Sequence, residues 1–254
     1  LTHAEIARMA LILRRMHKAA ILPFLTEDEQ LPRDEIYPEQ LDLLQGIAMR
    51  EQKINFLEEH VRQYLLKITR QQLAEGQGRE VNALLSLLDS MESIGDIITR
   101  QMVPLAKKKE QLGTDFSEEG REELISYHKK VGKQLSRLEK MMVASDPVLS
   151  HKVRKKKKRY DRLNHRLRRH HLRRLLDMKE ESVETHEIHL ELLDALNQIN
   201  GFTADIANVL LKGGIQDRPA EKKEKRQTSE EDEDAHASEE EKATDGESSQ
   251  QSAA

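Results

Sequence analysis

This sequence predicts an all-α fold, two three-helix repeats forming an elongated six-helix bundle, and three observations carry that reading. Leu85, Leu87, Leu88, Asp89 and Ile94 recur 105 positions further on as Leu190, Leu192, Leu193, Asp194 and Ile199, with Met91 answered by Leu196 and Ile97 by Phe202. Each copy closes a block of three helical patterns, so the repeating unit is a three-helix module. Apolar residues also recur at alternating spacings of three and four, the period of an amphipathic helix. Finally, charged residues make up 35% of the chain and aromatic residues 3%, with no Trp. That balance suits long solvated helices around an aliphatic core better than it suits a sheet protein.

The first helix is predicted from about Ala4 to Phe24, with Ile6, Met9, Leu13, Met16 and Ala20 on one stripe. Pro23 and a charged loop from Thr26 to Pro38 interrupt it, since proline ends helical patterns. The second, from about Glu39 to Gln72, carries Leu41, Leu44, Ile47, Ile54, Val61, Leu65 and Ile68, and Gly76 and Gly78 read as the next turn. The third, from about Arg79 to Gln111, shows Val81, Leu84, Leu88, Met91, Ile98, Met102 and Leu105, with Pro104 expected to bend or fray its end. Gly113 separates repeat one (residues 1–112) from repeat two (114–212).

The second repeat follows the same plan. Ser117 before Glu118 and Glu119 is a helix start, a cap followed by acids that complement the helix dipole. That helix runs through Leu124, Val131, Leu135, Leu138 and Met142. Ser145-Asp146-Pro147 opens the fifth helix, which continues to about Met178, with proline just inside the first turn. Ser182 is expected to open the sixth, whose seam is Ile188, Leu192, Ala195, Ile199, Phe202, Ile206 and Val209, and Gly213-Gly214 to end it. Helices of this length joined by short loops pack as an antiparallel bundle. The helical methionines Met9, Met16, Met91, Met102, Met141 and Met142 read as core filling.

From Asp217 to Ala254 no apolar residue larger than Ala occurs except Pro219, and thirteen acids stand against six Lys or Arg. Such a segment cannot bury enough surface to offset its ordering entropy, so a disordered acidic tail is expected over 217–254. Its net charge of −7 leaves the preceding body at +3, which the total of −4 conceals. With no Cys, disulfides and thiolate metal sites are excluded, and a cytoplasmic setting is compatible. No apolar run approaches the ~20 residues that span a bilayer. The best, Ile6 to Leu25, is broken by Arg8, Arg14, Arg15, His17 and Lys18. The chain opens at Leu1 already in helical pattern and without an initiator Met, so a piece of a longer protein is expected.

The third and sixth helices carry a family resemblance. Leu87-Leu88-Asp89-Ser90-Met91-Glu92-Ser93-Ile94-Gly95-Asp96 resembles the third helix of a PhoU repeat, with its Glu-x-x-x-Asp acids after Leu-rich turns. Ser182-Val183-Glu184-Thr185-His186-Glu187-Ile188-His189-Leu190-Glu191-Leu192-Leu193, continuing to Asp205-Ile206-Ala207, is similar to the PhoU-like module at the C-terminus of bacterial Na⁺/phosphate cotransporters. The likeness covers about residues 4–212. It implies a six-helix PhoU-like domain and a regulatory or scaffolding role in sodium-coupled phosphate uptake, with no enzymatic activity. The transmembrane part of the same protein would be its partner, at the cytoplasmic face of the membrane. A separate PhoU-type adaptor and a carboxylate metal-binding helical protein are the alternatives, and a homo-oligomer is compatible with any of them. No Gly-rich phosphate loop or nucleophile elbow is present.

Two constellations could carry chemistry. Glu51 and Glu58 sit seven apart on the apolar seam of the second helix, and Glu92 and Asp96 share a face of the third. Acids on a core-facing stripe are costly unless paired, hydrated or metal-bound, and inward carboxylates build bundle metal sites. The resemblance likewise implies a divalent or trivalent ion at Glu92 and Asp96, with Glu51 and Glu58 as further candidates and His60 and His189 as accessories. A polar seam satisfied by Lys, Arg or water is the alternative. In repeat two the corresponding positions are Lys156, Leu163, Asn197 and Gly201, so a site is expected in repeat one alone.

The other constellation is the fifth helix, where Lys152 to Arg174 holds thirteen Lys or Arg and one acid, Asp161. His165, His170 and His171 add charge there if protonated. Like charges one turn apart destabilise a helix, so an anionic membrane surface, worth about 1 kcal/mol per basic residue, is a candidate partner. A solvated face neutralised by nearby acids is the plainer reading. Nucleic acid is not expected, because only Tyr160 and Asn164 are interleaved as readers.

Overall fold

The computed structural model describes residues 2–25, 41–70, 72–144, 146–177 and 183–212. The charged loop after Thr26, the expected cap at Ser182, the Gly213-Gly214 stop and the acidic tail lie outside these residues.

Six long helices account for most of the described residues. α1 (Thr2–Ala20) is followed by a short 3₁₀ turn, Leu22–Phe24. Its regular part stops short of the expected Phe24 because the Pro23 ring would collide with the carbonyl four residues back. α2 (Leu43–Thr69) begins at a capping box the spacing analysis overlooked: Gln45 N–H donates to Asp42 at 2.8 Å, and Asp42 N–H donates to the Gln45 side chain at 3.1 Å. α3 comprises Glu75–Asp96, a π turn at Ile97–Met102, and Val103–Leu112.

Two expectations for α3 are corrected. Gly76 and Gly78 lie inside its first turn, where backbone N–H groups lack helical partners anyway; the Gln77 side chain accepts from Ala74 N–H at 3.0 Å and so starts the helix earlier. Pro104 neither frays nor ends the helix. Val103 N–H reaches back five residues to Ile98 O. This widened turn absorbs the missing N–H and the ring clash that Pro104 would impose on a regular helix. The helix closes at Gly113, whose φ of 71° is the left-handed conformation that glycine adopts without a Cβ penalty.

α4 (Glu118–Ala144) starts beside Ser117, whose Oγ accepts from Gly120 N–H at 3.3 Å. α5 (Pro147–Leu176) starts at Asp146, which accepts from Val148 N–H at 2.8 Å, with Pro147 in the first turn. α6 spans His186–Lys212. Within repeat one α1, α2 and α3 pack on one another, and α4, α5 and α6 do so within repeat two. The repeats join through α1 on α4 and α3 on α6, so these four helices form the centre and α2 and α5 flank it.

The core is aliphatic, as expected, and all six helical methionines named above are buried in it. Leu192, Leu193, Leu196, Ile199 and Ile206 on α6 are each 0% exposed. Burying such side chains stabilises the fold by about 1.5–3 kcal/mol apiece. Among the described residues no helix is long and apolar enough to cross a membrane.

Candidate functional site

Three of the four predicted acids come together where α2 meets α3. Gly95 makes this possible: a Cβ added there would stand 2.7 Å from Glu51 Oε2, so the missing side chain is the space the Glu51 carboxyl occupies. That oxygen is buried and has no hydrogen-bond donor. Burial pushes Glu51 up to about 7, the negative charges of Asp96 and Glu92 push the same way, and Arg100 opposes. Glu92 is also raised, by burial first and then by Asp96, with Arg100 again opposing. Asp96 pairs with Arg100 at 3.1 Å, one turn along the π segment.

Glu58 has a different environment. It pairs with Arg62, which also holds Asp89 at 2.6 Å across to α3. This bridge is the satisfied polar seam that the sequence left as an alternative. His60 is exposed, with its ring on Phe56 at 4.0 Å and its Nδ1 donating to Phe56 O. His189 lies in repeat two, 3.2 Å from Gly120 O. Neither joins the acids.

Among the described residues no three His, Asp or Glu side chains stand ready to ligate one ion. The chemistry of the set still fits a cation: acceptor-only groups, mutually repelling charges and one orphaned buried oxygen.

Repeat two shows what replaces the acids. Asn197, at the position of Glu92, accepts from Tyr127 Oη at 3.0 Å. Asn200, at the position of Gly95, accepts from Gln134 Nε2 at 3.3 Å, and Gln134 also donates to Val153 O at 3.1 Å. At these positions α6 makes neutral hydrogen bonds to α4, where repeat one has repelling carboxylates between α2 and α3.

A second polar cluster escaped the sequence analysis. His171 on α5 stacks on His189 with ring centroids 4.3 Å apart, and its Nε2 lies 3.0 Å from His186 Nδ1. Glu123 on α4 completes the group, accepting from Arg174 at 2.7 Å and pairing with His170 at 3.1 Å. Burial, followed by nearby Arg174, lowers His171 to about 4, so His171 adds no charge to the fifth helix at neutral pH. Burial, followed by His171, lowers His189 to about 3. Nothing in local spacing pairs residues on three different helices, so no sequence signal could have located this cluster.

The comparisons with known proteins follow the same geometry. Residues 6–101, which contain the whole carboxylate cluster, match the PhoU domain. The "Putative inorganic phosphate export protein YjbB" of Salmonella typhimurium is 27% identical over 164 residues, 65% of this chain and 30% of that protein. Its namesake in Escherichia coli K12 is 26% identical over 159 residues, 63% of this chain and 29% of that one. The chain thus spans under a third of these relatives. PhoU from Pseudomonas aeruginosa superposes with a TM-score of 0.69 at 17% identity, covering 84% of this chain and 94% of that one. The phosphate transport system regulatory protein PhoU from Streptococcus pneumoniae gives 0.67 at 14%, covering 84% and 92%. Residues 6–101 match the PhoU domain and the fold matches that of both PhoU structures, so the chain carries a PhoU-like domain.

Proposed function

We propose that this domain is a PhoU-type regulatory module that acts on a phosphate transport protein as a helical adaptor rather than as an enzyme. The observation that carries the reading is the PhoU match over residues 6–101, which contain the cluster of Glu51, Glu92 and Asp96. The relatives named for phosphate export support the link to phosphate while leaving its direction, uptake or export, open to experiment. A cell lacking the full-length protein should show altered phosphate accumulation, restored by the wild-type gene. Unchanged phosphate content and flux would sink the proposal.

Because the relatives are more than three times as long as the part matched, a finer reading also has support: the transporter resides in the same polypeptide, with this domain at the cytoplasmic face, as in a Na⁺/phosphate cotransporter. Antibody against this region should then find the full-length protein in membranes after alkaline carbonate washing. A washed-off species of about this size would favour the separate adaptor.

The carboxylates suggest how such a module could sense its surroundings. Glu51, Glu92 and Asp96 would hold a divalent or trivalent cation across the α2–α3 junction, and the ion would supply charge neutralisation there. Glu58, engaged with Arg62, would orient α2 from about two turns further along.

A further inference from the structure

The outer face of α5 has a composition that the PhoU-type reading does not use. Arg154, Lys155, Lys158, Arg162, Arg169 and Arg173 are all exposed and, at 100° per residue, fall within about one third of the helix circumference. His151 and His165 share that face, and no acid does. Asp161, the helix's one acid between Lys152 and Arg174, sits at the flank, paired with Lys157 at 2.8 Å. Arg168 and Arg174 turn to Asp194 and Glu123. None of the six outer cations makes an ion pair with another described residue. They form a stripe of one sign along a helix of 30 residues, about 45 Å long.

Two features of the same stripe select among anionic partners. Leu172 and Leu176 project from it, 50% and 81% exposed, which suits a surface that accepts apolar groups beneath its charges. Tyr160 and Asn164, which could have read nucleic-acid bases, are instead buried at 4% and 3% exposure on the opposite side.

We propose that this face of α5 is a docking surface for an anionic lipid bilayer, with the six cations at the headgroups and Leu172 and Leu176 at the acyl boundary. The proposal stands independently of the phosphate reading.

Flotation of the full chain with vesicles of phosphatidylcholine and phosphatidylglycerol (3:1) tests it, against pure phosphatidylcholine and against a 20-base-pair duplex DNA. Binding to the anionic vesicles should exceed binding to the neutral ones at least tenfold and should weaken with salt. Replacing Lys155, Lys158, Arg162 and Arg169 together by Gln should reduce it at least tenfold. Replacing the exposed Lys53, Lys67, Arg70 and Lys107 by Gln, an equal change in net charge elsewhere, should leave it within twofold. Leu172→Ser with Leu176→Ser should weaken vesicle binding severalfold at constant charge. Equal losses from the two Gln sets would overturn the proposal, as would vesicle binding indifferent to both leucines. Tighter binding to DNA than to vesicles would assign the stripe to nucleic acid instead.

Discussion

His17 and His128 lie ring on ring across the α1–α4 contact that joins the two repeats, with centroids 3.9 Å apart and planes within 3°. His128 Nε2 donates to His17 O at 2.9 Å, and both residues are buried. Burial lowers His128 to about 4 against the opposing pull of that hydrogen bond, and burial together with His128 lowers His17 well below its usual value.

An unfolded His takes its proton near pH 6.5, so below that pH the unfolded chain binds more protons than the folded one. The stability contributed by the neutral pair is therefore present above about pH 6.5 and lost as the pH falls towards 4. The Tm of the wild type should drop by roughly 5 °C or more between pH 7.5 and 5.5. His17→Phe, which keeps a ring on His128, should lessen that drop. An undiminished loss in the variant would place the sensitivity elsewhere, with the His171–His189 stack as the next site to test.

Glu51 has the opposite dependence. Its folded carboxyl is raised to about 7, so its stabilising protonated form is fully present below the unfolded value near 4.3 and is lost as the pH rises through about 7. Glu51→Gln should raise Tm by about 2–4 °C at pH 8 and change little at pH 5. Manganese or magnesium reverses the sign if the carboxylates hold an ion: the wild type should then gain Tm, Glu51→Gln and Glu92→Gln with Asp96→Asn should not, and chelator should cancel the gain. Metal-independent melting of the wild type would leave these acids as polar seam residues.

The repeats should not survive separation. Leu1–Arg218 forms one compact unit, α1 packs on α4 and α3 on α6, and Lys108 bonds across to Glu187. We expect residues 1–112 and 114–212 expressed singly to lack a cooperative thermal transition. We also expect limited proteolysis to leave the 1–212 body intact while removing the acidic 217–254 segment. Two independently melting halves would make this a two-domain chain.

The acidic tail should compete for the basic helix. Residues 217–254 carry a net charge of −7, opposite in sign to the α5 stripe, and opposite charges attract most strongly at low salt. Deleting the residues after Gly214 should strengthen binding to anionic vesicles severalfold at low salt, with the gain fading as salt screens it. Equal binding by the truncated and intact chains would mean the tail leaves the stripe alone.

Helix number, the repeat and the aliphatic core were legible in the sequence because each is a periodic property of neighbouring residues: Leu85 to Ile97 repeats as Leu190 to Phe202, and Ile188 to Ile206 marks its own buried face. The acids Glu51, Glu92 and Asp96 were legible for the same reason, as charges interrupting an apolar stripe. Tertiary structure alone decided what these groups meet. It seated Glu51 in the space left by Gly95, tied Glu58 to Arg62 and Asp89, and carried Pro104 through a π turn. It also stacked His17 on His128 across the repeats and turned Tyr160 inward while leaving six cations of α5 outside. Periodicity tells which face of a helix is buried, but the partner across a helix contact depends on crossing and register between segments distant in the chain, and no local pattern encodes that.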